Sequence, residues 1–322
     1  MDLKRFLILF LFIAACEGPK LPEGTAIDAK TGWERQNSGV TSALGGLFFI
    51  NEKIGWSSGN RGIVLHTEDA GKHWSRQATP TDQLLVSLFF VDTKTGWAVG
   101  DKGTIIQTQD GGKTWRTQNS GQKKDLTHLF FSDSKHGFVT GVKGVFLVTE
   151  DGGQHWGPIP LPFNGTLTSV FFVTPRIGWC TGDGGAIFYT EDGGGHFVRQ
   201  ESGTNRDLHR LFFVNEKTGW AVGANGTIIA TKDGGKHWSL QTSGVPAFLP
   251  GVFFINDQVG WVVGASGTIL QTKDGGTHWT QQPSGTIEFL IGVFFVRPDL
   301  GWIAGTKGTL LHTDNGGVPP AP

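Results

Sequence analysis

Charge is scarce in this chain, and unbalanced charge scarcer still. Only 17% of its 322 residues are Asp, Glu, Lys or Arg, against a usual ~25%. The 27 Lys and Arg against 28 Asp and Glu leave a net charge of −1, so no global field recruits nucleic acid or an anionic membrane. Two cysteines, Cys16 and Cys180, are too few for a disulfide-stapled scaffold. There is one tyrosine, Tyr189, and that scarcity limits the chemistry considered below. The N-terminal apolar run, Phe6 to Ala15, is too short for a mature helix to span a bilayer, and helical periodicity is absent after residue 16.

What the chain does hold is 50 Gly, 24 Phe and 12 Trp. With 38% hydrophobic residues it can bury a large core, which excludes a disordered chain, and the glycines follow no Gly-X-Y triplet, which excludes collagen.

The N-terminus reads as an address. Lys4 and Arg5 precede the apolar run, which ends in Ile13-Ala14-Ala15-Cys16. Small residues before a cysteine resemble the bacterial lipobox, in which the thiol is acylated and becomes the new N-terminus. Cleavage near Ala15 as an ordinary secretory signal is the alternative. The expected organisation is a lipoprotein signal peptide over 1–15, a lipid-anchored tether over 16–30, a folded unit over 31–317 and a tail over 318–322. Acylation at Cys16 would place the protein on the membrane of a bacterial cell envelope, on its periplasmic or extracellular face.

The folded unit is a repeat. Phe-Phe recurs at 48/49, 89/90, 130/131, 171/172, 212/213, 253/254 and 294/295, always 41 residues apart. A Gly-Trp pair follows in step at Trp56, Trp97, Trp179, Trp220, Trp261 and Trp302, with Phe138 replacing Trp once. One copy predicts four strands: Leu84 to Val91, Gly96 to Gly100, Gly103 to Thr108, and Thr114 to Gln118. Four antiparallel strands in about 41 residues make a propeller blade. The phase of the ends is decisive. The aromatic of the fourth strand is due again at position 320, occupied by Pro320, whereas stepping back from Trp74 lands on Trp33. The N-terminal segment therefore supplies the outer strand that the last blade lacks. The fold class is all-β, a closed seven-bladed β-propeller.

Thr108-Gln109-Asp110-Gly111-Gly112-Lys113-Thr114-Trp115 is an Asp-box, also called a BNR repeat. Its carboxylates are Asp69, Asp110, Asp151, Asp192, Asp233 and Asp274, and Asn315 replaces the seventh. A short carboxylate accepts amide bonds within a turn while glycines supply positive φ, so these residues are structural. Sialidases carry such boxes, but their chemistry needs a tyrosine nucleophile and an arginine cluster. Tyr189 sits on a third strand where other copies have His66 or Gln107, which argues against it. His73, His155, His196, His237 and His278 repeat around the ring and do not converge, so no metal and no cofactor is expected.

Departures from the repeat mark candidates for function. Turns between second and third strands carry Arg61, Lys102 and Lys143. The connections leading into each blade are polarised, with Lys123, Lys124, His128, Arg206, His209 and Arg210 on one side, and Phe248 and Phe289 on the other. One reading is solvated charge beside ordinary strand-start hydrophobes. The other is a protein-docking face, with arginines as forks for carboxylates and the two phenylalanines as anchors.

The tandem of Phe-Phe, Gly96-Trp97-Ala98-Val99-Gly100, Gly103-Thr104-Ile105 and Thr108 to Trp115 resembles the photosystem II stability/assembly factor family over residues 31–317. The resemblance implies a seven-bladed, non-catalytic assembly factor whose arginine-rich patch docks a protein client. Here Arg206 and Arg210, with Arg61 and Arg176, stand where that patch is implied. The expectation is a monomeric, lipid-anchored propeller that binds a membrane or envelope protein and no nucleic acid. A carbohydrate-active propeller of the Asp-box type is the alternative.

Overall fold

A computed structural model describes residues 31–319; Cys16 and its tether lie outside them. Twenty-eight short strands form seven four-stranded antiparallel sheets. Six sheets are consecutive in sequence, as in Leu85–Phe90, Gly96–Gly100, Ile105–Thr108 and Arg116–Gln118. The seventh pairs β1 (Glu34–Gln36) antiparallel with β28 (Leu310–Thr313), so the first strand closes the ring as the phase requires. Among the described residues no helix is long and apolar enough to cross a membrane.

The third and fourth strands start later than the sequence predicts. Gly103 holds φ +71 in a tight turn, so pairing begins at Ile105, and the fourth strand begins at Arg116, after the buried Trp115. In the third blade the fourth strand shrinks to Gly157–Pro158, because a proline has no amide to continue the ladder.

The two phenylalanines of each pair do different work, since successive strand residues face opposite ways. The second stacks on the tryptophan (once Phe138) of the preceding blade, with ring centroids 3.5–3.7 Å apart at all seven interfaces. The first points to the axis. Phe48, Phe89, Phe130, Phe171, Phe212, Phe253 and Phe294 form an unbroken ring with neighbouring centroids 4.9–5.2 Å apart. The glycine before each tryptophan follows from the same packing. A Cβ at Gly55 would sit 2.5 Å from the Phe49 ring, and all seven copies repeat the clash.

The Asp-boxes stitch neighbouring blades together. Asp110 Oδ2 accepts the Thr114 hydroxyl, its Oδ1 accepts the Thr114 amide and the Thr108 hydroxyl, and these bonds hold the carboxyl down at about 2. In five boxes a histidine takes the place of Thr114 and its Nδ1 lies 2.6–2.7 Å from the carboxylate. Five boxes then offer a carbonyl to the tryptophan of the blade before, as Gly275 O does to Trp220 Nε1 at 3.1 Å.

Candidate functional site

Antiparallel pairing puts the Asp-boxes and the first-to-second-strand turns at one end of the ring. The second-to-third-strand turns and the blade-to-blade connections share the other, here called the upper face. Each of the former turns places two central residues at positive φ, as in a type I′ hairpin, for which Xaa-Gly is preferred. Six of the seven put a residue other than glycine at the first position: Arg61, Lys102, Lys143, Asn225, Ser266 and Lys307, with φ between +52 and +57. Four of these are cations held in a conformation that costs an L-residue about 1 kcal/mol.

Carboxylates of the upper face pin these same turns. Asp125 Oδ1 accepts the Lys102 amide at 2.9 Å, Asp207 Oδ1 accepts the Gly184 amide at 2.7 Å, and Asp183 Oδ2 accepts the Thr166 amide at 2.7 Å. Glu288 accepts the Thr306 hydroxyl and lies 3.1 Å from Lys307 Nζ. Asp101 differs. Burial, and then the neighbouring Asp125, raise its carboxyl to about 6. A carboxyl raised on folding stabilises fully below its unfolded pKa near ~3.9, and that contribution is lost as pH rises through about 6. Asp101→Asn is therefore expected to stabilise the fold at pH 7 by ~1 kcal/mol, the shift being discounted for solvent that still reaches the group. The gain should vanish at pH 4 in urea titrations at the two pH values.

The residues singled out in the sequence separate into two levels. Lys123, Lys124, Arg61 and Arg206 are exposed on the upper face, and Arg206 Nη1 donates to the Asn225 carbonyl at 3.0 Å. Phe248 and Phe289 are half-buried and adjoin each other with centroids 5.8 Å apart, while the His209 ring packs on Phe248 at 4.2 Å. The polar and apolar sides of the mouth thus meet at His209, and its burial holds that imidazole down at about 4. Arg210 and His128 leave the face altogether. Both line the central channel, two residues before the axial phenylalanine of their strands.

The remaining candidates take scaffold roles. His66 stacks on Trp56 of its own blade at 4.9 Å, and His312, at the equivalent position of the last blade, packs tilted against Trp302 at 5.3 Å. Among the described residues no cluster of His, Cys, Asp or Glu has a metal-binding arrangement. Cys180 is a fully buried free thiol whose ionisation burial opposes. Sequence reading missed Gln36, Gln77, Gln118, Gln200, Gln241 and Gln282, which occupy one repeat position. Gln77, for example, donates to the Gly111 carbonyl at 2.9 Å and accepts from Trp115 Nε1 at 3.2 Å, joining its blade to the next. Their 41-residue spacing was the available signal.

A sequence profile described as photosynthesis system II assembly factor YCF48 matches residues 76–161, 121–202 and 244–319, more than half of the chain. The chain belongs to the YCF48 assembly-factor family. No curated protein sequence matches it. Solved structures extend the likeness in fold. YCF48 bound to D1 peptide has a TM-score of 0.75 at 22% identity, over 92% of this chain and 99% of that one. YCF48 from Cyanidioschyzon merolae gives 0.74 at 20%, over 87% and 98%. The GH74 xyloglucanase from Xanthomonas campestris gives 0.73 at 12%, over 91% of this chain and 55% of that one.

Proposed function

We propose that this chain is a non-enzymatic docking propeller, tethered to an envelope membrane through Cys16, whose upper face holds a segment of a membrane or envelope protein. The observation that carries the reading is the aromatic step His209–Phe248–Phe289, bordered by exposed Arg206 and by Lys307, a cation on a positive-φ turn that meets Glu288. Aromatic anchors within a polar rim are the usual anatomy of a protein interface. The YCF48 structure described as bound to D1 peptide supports a peptide as the occupant. Carboxylates that accept turn amides are poorly placed to serve as a catalytic pair, which favours binding over hydrolysis.

The test is capture of partners by the intact chain from solubilised envelope membranes. Phe248→Ser with Phe289→Ser, and separately Arg206→Ala, are expected to weaken capture about tenfold or more. Unchanged capture by the folded double variant would overturn the docking face. Cys16→Ser is expected to move the protein from the membrane to the soluble fraction. A second reading, glycoside hydrolysis, draws on the GH74 likeness and on Asp101, raised to about 6 beside Asp125. Turnover of a glycan that Asp101→Asn abolishes would favour it.

A further inference from the structure

The central channel holds a cavity of about 130 Å³ whose floor is the ring of seven phenylalanines. The layer above that floor consists of Gly46, Ser87, His128, Ser169, Arg210, Gly251 and Gly292, one from each blade. Three of these side chains cap the inner edge of the next blade. Ser87 Oγ accepts the Leu129 amide at 3.4 Å, His128 Nδ1 the Val170 amide at 3.2 Å, and Ser169 Oγ the Leu211 amide at 3.4 Å.

The other four members of the layer are consecutive around the ring and offer no side-chain acceptor. Arg210 has only donors, and Gly251, Gly292 and Gly46 have no side chain. The amides equivalent to those of Leu129, Val170 and Leu211 belong to Val252, Val293, Leu47 and Leu88, and all four of these residues line the cavity. Arg210 and the three glycines line the space themselves, along the same arc as these amides.

Arg210 is the cation of this wall. It joins no ion pair in the described residues, and no carboxylate lines the cavity. Its surface is only half-buried because the cavity itself adjoins it, yet the surrounding protein is dense enough to pull the guanidinium down to about 10. An unpaired guanidinium so placed destabilises the fold unless something anionic meets it. Burial and Arg210 keep His128 neutral, and because its Nδ1 accepts the Val170 amide, the ring proton sits on Nε2 as a further donor.

We propose that this cavity binds a small carboxylate with a short apolar body, anchored by Arg210. The guanidinium fork matches a carboxylate in two parallel bonds, and the phenylalanine floor with Val252 and Val293 takes the apolar part. The volume suits about four to six non-hydrogen atoms, taking ~30 Å³ for each water displaced. Such a group is found on a free short-chain acid and on the C-terminus of a peptide.

Calorimetric titration of the intact protein with acetate, butyrate and isobutyrate, using chloride as control, tests the site. A second arm uses a tetrapeptide ending in Val as its free acid and as its amide. Butyrate binding assigns a free acid, and binding of the peptide acid but not its amide assigns a chain terminus. Arg210→Gln is expected to weaken whichever binds by about tenfold or more, while Arg206→Ala leaves it unchanged. Arg210→Met is expected to unfold at a urea midpoint no lower than that of the parent without ligand, because it removes a buried unpaired charge. Absence of binding by every carboxylate at ~50 mM, a weak limit even for so small a ligand, overturns the proposal. So does equal affinity in a folded Arg210→Gln.

Discussion

Alanine in place of Trp220 is expected to lower the unfolding free energy by about 3–5 kcal/mol, the range for buried aromatic truncation. Trp220 is 1% exposed and lies 3.5 Å from the Phe254 ring at an interplanar angle of 7°. The lost burial alone is worth several kcal/mol at about 25 cal/mol per Å², and the hole opens at the contact between two neighbouring blades. Its Nε1 bond to the Gly275 carbonyl adds ~1 kcal/mol, that carbonyl keeping Gln241 Nε2 at 3.0 Å when the indole is lost. Trp261 provides the control. It stacks on Phe295 at the same 3.5 Å, but its Nε1 has no hydrogen-bond partner, while Gln282 alone of the two reaches Gly316 O at 2.9 Å. Trp220→Phe should therefore cost ~1 kcal/mol more than Trp261→Phe, since only the former breaks a bond. Urea unfolding of the three variants measures both effects, and equal losses for the two Phe variants would remove the hydrogen bond from the account. The third blade already carries such a replacement, with Phe138 stacked on Phe172 at 3.6 Å.

The fold was legible because one template is written seven times and its phase at the two ends admits a single closure. The candidate site was legible only in part, for reasons of strand parity. Counting back from the axial Phe212, Arg210 falls on the channel side, but the pairing register shifts between Leu208 and Arg210. That bulge turns His209 toward Phe248, and Arg206 lies beyond it on the surface. Arg206 and Arg210, four residues apart and alike in sequence, therefore belong to different places. The glutamines that join the blades were hidden for another reason. They sit in short outer strands among exposed Thr, Ser and Arg, where a polar residue looks like ordinary surface. The cations of the upper turns were visible, but the positive φ that holds them follows from the Xaa-Gly pair only once the pair is known to lie at the centre of a tight turn between paired strands.

Removing residues 31–41 is expected to abolish cooperative folding rather than fray one edge. The segment carries Trp33, 3% exposed, whose ring meets Phe295 edge-on at 6.0 Å and whose Nε1 donates to Gln282 of the sixth blade at 3.2 Å. Gln36 donates to the Ala70 carbonyl at 2.8 Å and accepts from Trp74 Nε1 at 3.1 Å, both in the first blade. Ser38 Oγ donates to the Gly308 carbonyl of the last blade at 2.7 Å. One short strand thus holds three blades together. Burial of Trp33 at ~3–5 kcal/mol plus three or four hydrogen bonds at ~1 kcal/mol each rivals a typical total stability of about 5–15 kcal/mol. The loss is of ring closure, not of sequence near the N-terminus, and a permuted chain separates the two. Gly32 lies against Val318 and Gly317, so the start and end of the ring already touch. Joining residue 317 directly to residue 31 and reopening the chain between the third and fourth blades keeps every strand and moves only the break. Such a permutant is expected to show a single urea transition with the parental slope, while the deletion variant shows none. A cooperative transition in the deletion variant would mean that six complete blades hold the ring without its closing strand.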